Sequence, residues 1–81
     1  MQIIPIYNFA ATITKDNSVN IPTGVTHAVY VGTAGTMVAV QQNGVTATFV
    51  GIAAGSILPI AIKRVNSTST TSDNMVALYS V

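Results

Sequence analysis

Cysteine and tryptophan are absent from this chain of 81 residues, and histidine occurs once. No disulfide can staple the fold, and a structural metal site, which draws three or four ligands from Cys, His and carboxylates, has too few donors to be built. Charge is the second shortage. Lys15, Asp16, Lys63, Arg64 and Asp73 are its only carriers, 6% of the residues against about a quarter in an ordinary soluble domain. The net charge is +1 and the mean hydropathy +0.57. So little charge cannot hold independent copies apart by repulsion. It also removes most of the general acids, general bases and phosphate clamps on which catalysis depends. The composition fits a permanently assembled part and speaks against an enzyme.

Long apolar runs are missing as well. Thr, Asn, Gly or Pro interrupts each one before the roughly 18 residues a membrane-spanning helix requires, so no membrane partner is expected. Met1-Gln2-Ile3-Ile4-Pro5 has neither a positive n-region nor a following cleavage site, which reads as a chain mature from Met1. The widest basic cluster is Lys63-Arg64. Two cations release too few counterions for useful nucleic-acid binding, so a solvated strand end or a salt bridge to a partner is expected of them. A single small domain without disulfide or metal is marginal in isolation, which leaves subunit contacts as its staple.

What is present is β-branched: eleven Val, nine Ile and eleven Thr. These side chains fit a pleated, half-buried surface better than a helix interior. Turn signals recur at Pro22-Thr23-Gly24, Gly32-Thr33-Ala34-Gly35, Asn43-Gly44 and Gly51-Ile52-Ala53-Ala54-Gly55. Between them the strands are expected at 12–14, 18–21, 27–31, 36–41, 45–50, 56–65 and 75–80. The fold class is therefore all-β, a small antiparallel β-sandwich or barrel of jelly-roll-like form with about seven short strands. Residues 1–12 form an N-terminal arm or edge strand, and 13–81 a single β domain.

Asn43-Gly44 predicts a type I′ turn joining 36–41 to 45–50. Val45, Ala47 and Phe49 then share the inner face with Val38 and Val40, while Thr46 and Thr48 form an outer ladder. Pro59 places its strand at an edge or beside a bulge, with Ile60 and Ile62 pointing the same way. Residues 66–74 carry no apolar anchor and are expected to be exposed and mobile. Ile3, Ile4, Ile6, Tyr7 and Phe9 are strongly apolar, but Pro5 interrupts pairing there, so an arm packing on a neighbour and an ordinary first edge strand both remain open.

Few constellations invite chemistry. His27 has no second His or Cys beside it and is expected to be structural. Asp16 and Asp73 sit in Ser/Asn-rich turns, where Asp commonly bonds its own backbone. No serine occupies a Gly-x-Ser-x-Gly elbow. Gly32-Thr33-Ala34-Gly35 lacks the Gly-Lys-Ser/Thr ending of a phosphate loop and reads as a turn. Asn66-Ser67-Thr68 matches a glycosylation acceptor only as a short pattern common in so Thr-rich a chain. Catalytic, cofactor and metal residues are therefore predicted to be none.

Four stretches carry a resemblance. They are His27-Ala28-Val29-Tyr30-Val31-Gly32-Thr33-Ala34-Gly35, Val45-Thr46-Ala47-Thr48-Phe49-Val50-Gly51, Ala54-Gly55-Ser56-Ile57-Leu58-Pro59-Ile60-Ala61-Ile62-Lys63-Arg64-Val65 and Met75-Val76-Ala77-Leu78-Tyr79. In this order they resemble small virion proteins of tailed phages and gene transfer agents, the spike base protein family. About two-thirds of the chain takes part. Gln41-Gln42, the Ser67 to Ser72 run and the N-terminal arm depart from the pattern.

The resemblance implies a non-enzymatic phage virion protein on the capsid exterior, a ring at a vertex that holds a head spike or fibre. Implied partners are other copies of the chain, as a pentamer or trimer, the phage major capsid protein and a spike or fibre protein. Ile3, Ile4, Ile6, Tyr7 and Phe9 are the interface candidates, and Tyr30 and Tyr79 are core or interface anchors. A capsid decoration or cement protein clamping neighbouring capsomers is the nearest alternative. A small carbohydrate-binding β module is the second alternative, from a different class.

Overall fold

The computed structural model describes residues 6–80 and is all-β. Its strands are β1 (Phe9–Thr12), β2 (Ala28–Thr33), β3 (Gly35–Gln41), β4 (Thr46–Ile52), β5 (Ser56–Leu58), β6 (Ile62–Val65) and β7 (Asp73–Tyr79). They form two antiparallel sheets, one in the order β1-β7-β2-β5 and the other in the order β4-β3-β6. Val29, Val31, Met75, Ala77 and Tyr79 of the first sheet meet Met37, Ala39, Ile52, Ile62 and Val65 of the second in one buried core. The molecule is therefore a β-sandwich with two separate sheets.

The chain changes sheets where a single continuous strand or a plain turn was expected. Only Ala34 separates β2 from β3, so the Gly32 to Gly35 motif is a corner between sheets. Gly35 has φ of 151°, and a Cβ there would lie 2.5 Å from Thr71 Oγ1 and 3.0 Å from Ser72 N. The backbones approach too closely for any side chain. The expected 56–65 strand is likewise broken into β5 and β6, which lie in different sheets. Pro59 cannot donate to a ladder, and the chain leaves the first sheet at that point. Buried Thr26 holds the crossing: its hydroxyl donates to Ile60 O at 2.8 Å and accepts from Ile62 N at 3.1 Å.

Two further strand expectations need correction. Pairing at the N-terminus covers Phe9–Thr12, bonded along β7 from Phe9↔Tyr79 to Thr12↔Val76, in place of 12–14. Residues 18–21 form no strand. Asp16 N, Ile21 N and Thr26 N instead donate to Val65 O, Lys63 O and Ile62 O, so this irregular connection shields the outer edge of β6.

The β3–β4 hairpin exists, but its turn is not type I′. Gly44 N donates to Gln41 O, Gln41 N to Val45 O, and of the loop residues only Gly44 has positive φ, at 89°. This is a type I turn followed by a left-handed glycine. Asn43 contributes through its side chain, whose Oδ1 accepts from Val45 N at 3.0 Å. The extra loop residue moves the register by one, pairing Met37↔Phe49 and Ala39↔Ala47. A slip of one residue exchanges the faces of a strand. Met37 and Ala39 are therefore in the core, and Val38 and Val40 lie on the outer face opposite Thr48 and Thr46.

Residues 66–72 are bonded along β3 as a substitute strand, contrary to the expectation of a free loop. Asn66 N donates to Val38 O, and Thr71 N and Ser72 N donate to Thr36 O. In return Val38 N donates to Thr70 Oγ1 and Thr36 N to Thr71 Oγ1, both at 2.9 Å. Hydroxyls thus satisfy β3 amides beyond the end of β6. Thr70 is buried, and buried Ser72 has a hydroxyl with no partner. Thr70→Val should cost about 1–3 kcal/mol by orphaning the Val38 amide. Ser72→Ala should stay within about 1 kcal/mol of the parent, on the stabilising side, because it removes an unsatisfied hydroxyl. Urea unfolding of both variants checks this opposed pair.

Candidate assembly surfaces

One corner of the sandwich gathers aromatic residues. Tyr79 is buried, and its hydroxyl donates to Gly24 O at 2.8 Å and lies 2.6 Å from Thr23 Oγ1, which can donate to it. The ring packs against Phe9, centroids 5.4 Å apart, and against the edge of His27 at 5.7 Å. Tyr79 is thus an anchor inside its own chain, its hydroxyl and ring both engaged there. His27 Nδ1 accepts from Ser80 N at 2.7 Å, which ties the entry of β2 to the end of β7. Accepting this bond at Nδ1 places the imidazole proton of the neutral ring on Nε2.

The other sequence-predicted interface residues are spread along one edge and one face. Ile3 and Ile4 lie outside the described residues. Ile6 is 76% exposed, Tyr7 is half-buried, and Phe9 is half-exposed at the start of edge strand β1. Tyr30 lies elsewhere, on the outer face of the first sheet, paired with Ile57 of β5 and Val76 of β7. Ala10, Ala28 and Leu78 continue that face, since Leu78 pairs with both alanines. These six side chains are uncharged, and Tyr30 and Ile57 are exposed.

The outer face of the second sheet has a different character. Thr46 and Thr48 are exposed on β4 opposite Val40 and Val38, as the predicted Thr ladder requires, and Val50 at its end is 78% exposed. Val50 and Gly51 together stand opposite Thr36, a bulge at which Gly51 takes φ of 74° and Ile52 turns back into the core. The alternation of the primary sequence suffices to find the Thr ladder. The bulge has only Gly51 as its signal.

Charge is concentrated away from both faces, in a seam between residues 15–20 and 64–73. Lys15 Nζ donates to Ser72 O at 3.2 Å and stands 3.9 Å from Asp73. Arg64 donates to Asn66 Oδ1 at 3.1 Å and to Asn20 Oδ1 at 3.3 Å. Asn17 Oδ1 accepts from Ser67 N and Thr68 N, and its amide donates to Thr68 Oγ1. Lys63 and Arg64 therefore lie within β6, not at a free strand end, and Arg64 is bound by its own chain. Its head belongs to the seam although its position on β6 pairs with Val40.

Asp16 accepts from Ser18 N at 2.8 Å and Val19 N at 2.9 Å. These backbone bonds, aided by Arg64, hold its carboxyl below the ordinary value. Asp73 accepts from Asn74 N. The two carboxylates are turn and strand-entry residues, as expected of Asp in these settings. A shallow groove lined by Gln41, Gln42, Asn43, Ile60 and Ala61 has no aromatic wall. It lacks the stacking platform that the carbohydrate-binding alternative requires.

The depressed Asp16 value fixes a sign for pH dependence. Its stabilising contribution is complete above the unfolded-state value and is lost as pH falls through the lower folded-state value. Thermal unfolding followed between neutral and strongly acidic pH should show a smaller acid-side loss for Asp16→Asn than for the parent chain. Equal losses would remove Asp16 as a source of acid sensitivity.

No family model and no curated protein matches the chain. Among solved structures, a chain of the "Capsid of native GTA particle computed with C5 symmetry", a gene-transfer-agent capsid, is 31% identical over 91% of this chain and 84% of that one, with a TM-score of 0.81.

Proposed function

The chain belongs to the same family as that gene-transfer-agent capsid chain, and we propose that, as a capsid structural protein, it forms a symmetric ring on the shell exterior. The ring serves as the base of a head spike or fibre. The observation that carries the capsid reading is the likeness over 91% of this chain and 84% of that one, at 31% identity. The spike-base role rests on the ordered sequence motifs, whose Gly32 to Gly35 and Leu58-Pro59 segments lie at two of the four crossings between sheets.

The surfaces support assembly without chemistry. An accessible surface of 4734 Å² has room for two ring contacts of about 800 Å² each, the ordinary size per partner in a stable complex. Uncharged faces lose no ion hydration when covered, which makes their burial favourable.

Native mass measurement at micromolar concentration should give a closed oligomer, five copies for a vertex ring. Counting copies on intact particles separates the roles: about one ring per vertex is expected, whereas hundreds of evenly spread copies would make the chain a decoration protein clamping capsomers. A monomer at that concentration would overturn the ring.

A further inference from the structure

We propose that neighbouring copies join by strand addition, the free edge of β4 in one copy pairing with the free edge of β1 in the next. The inference rests on the reading of the chain as a ring-forming capsid protein and names the contact that closes the ring.

Backbone bonding shows which groups are free. Gln41 N donates to Val45 O, and paired residues of an antiparallel ladder alternate between bonded and non-bonded. In the register Ala39↔Ala47 and Met37↔Phe49, Ala47 and Phe49 therefore face β3 with their amides and carbonyls. Those of Thr46 and Thr48 face away from it. The other side of β3 agrees, since Val38 N and Thr36 N bond to Thr70 and Thr71 and so point away from β4. On β1, Ile13 N donates to Met75 O, so by the same alternation Ala10 and Thr12 present their backbone groups outward.

The remaining two sheet edges are closed to such pairing. β6 is shielded by the three bonds from Asp16, Ile21 and Thr26. β5 has three residues and is followed directly by Pro59, two devices that natural sheets use to blunt an edge. Among the described residues, no hydrogen bond is made to the outward backbone groups of β4 or β1. No charged residue occurs from 6 to 14 or from 41 to 62, although an inserted Lys is the commonest guard of an exposed edge. Val50 and Ile6, 78% and 76% exposed, are the most exposed large apolar side chains among the described residues, and they flank these two edges.

A second copy is the occupant because the two open edges belong to the same chain and match in kind: short, neutral, and bordered by an exposed apolar residue. The edges also differ from one another, one in each sheet. Joining unlike surfaces is a heterologous contact, which closes into a ring when the rotation allows it. Pairing β4 with β4 would give only a two-fold dimer.

Amide hydrogen exchange on the assembled wild-type protein tests the contact. Thr46 and Thr48 on β4, and Ala10 and Thr12 on β1, should exchange at least about tenfold more slowly in the oligomer than in the same protein diluted to single chains. Thr48→Pro removes one outward donor and leaves the β3 ladder whole, so it should fold with the wild-type circular dichroism spectrum and give only the single-chain mass. An oligomer in which these four amides exchange at single-chain rates overturns the strand pairing and leaves the ring standing. Protection of β4 without β1 overturns it in favour of a β4–β4 contact or another partner. A Thr48→Pro protein that still forms the wild-type oligomer also overturns it. If Thr48→Pro does not fold, exchange in the wild type decides alone. A wild-type chain that stays single at all concentrations overturns the ring itself.

Discussion

The strand β3 must have partners on both sides, and the rest of the sandwich is arranged around that need. Its pairing with β4 is local, made by a hairpin that closes over three loop residues, Gln42, Asn43 and Gly44. Its pairing with β6 reaches only as far as Ala39↔Val65, which leaves Val38 and Thr36 without a strand beside them. Residues 66–72 supply the missing bonds through main-chain amides and the hydroxyls of Thr70 and Thr71. That segment is itself held by Asn17, Lys15 and the Arg64–Asn66 pair. The completeness of one central strand thus depends on a polar seam distant in sequence. Unpaired buried amides are costly enough that the seam is a condition of the fold, not an ornament of its surface.

This arrangement also explains where the charge went. Four of the five charged residues, Lys15, Asp16, Arg64 and Asp73, stand in the seam, where each bonds within its own chain. A charge so placed contributes local order and little to the field seen by a second copy. The outer face of the first sheet and the free edges of β1 and β4 are left neutral. Solubility as a single chain and assembly into a shell make opposed demands on a surface of 4734 Å², and the placement of charge suits assembly.

Much of the fold was legible in the sequence because two signals are short-ranged. Alternating Val and Thr identify strands, and Asn43-Gly44 marks a hairpin whatever its turn type. His27 as a structural residue and the two Asp as turn formers were legible for the same reason, since their partners lie nearby in sequence or at an adjacent strand end. The face of β3 was not legible. It turns on one residue of loop length, and Asn-Gly serves both a type I′ turn and a type I turn with a left-handed Gly44. The break at Pro59 was visible as a defect but not as a change of sheet, because only Thr26, distant in sequence, makes the crossing possible. The pairing of the 66–74 segment was not legible for a related reason: its Ser and Thr residues resemble solvent-facing loop composition, and only tertiary contact turns their hydroxyls into substitutes for a strand.

The candidate surfaces were legible to an uneven degree, and the difference has a physical basis. Apolar side chains near the N-terminus and the Thr ladder of β4 announce themselves by type and spacing. Open backbone groups do not, since every residue except proline has the same amide and carbonyl. Whether they are free depends on strand order, register and what covers the edge. For a protein nearly without charge or reactive side chains, the chemistry available for recognition is that of the backbone and of apolar contact. In the proposed ring its specificity comes from geometry: two unlike edges, each open over a few residues, in a sandwich whose remaining edges are shielded or cut short. Such a surface discriminates by shape and register, which is the kind of selectivity a repeating shell component needs, because every copy meets the same partner in the same orientation.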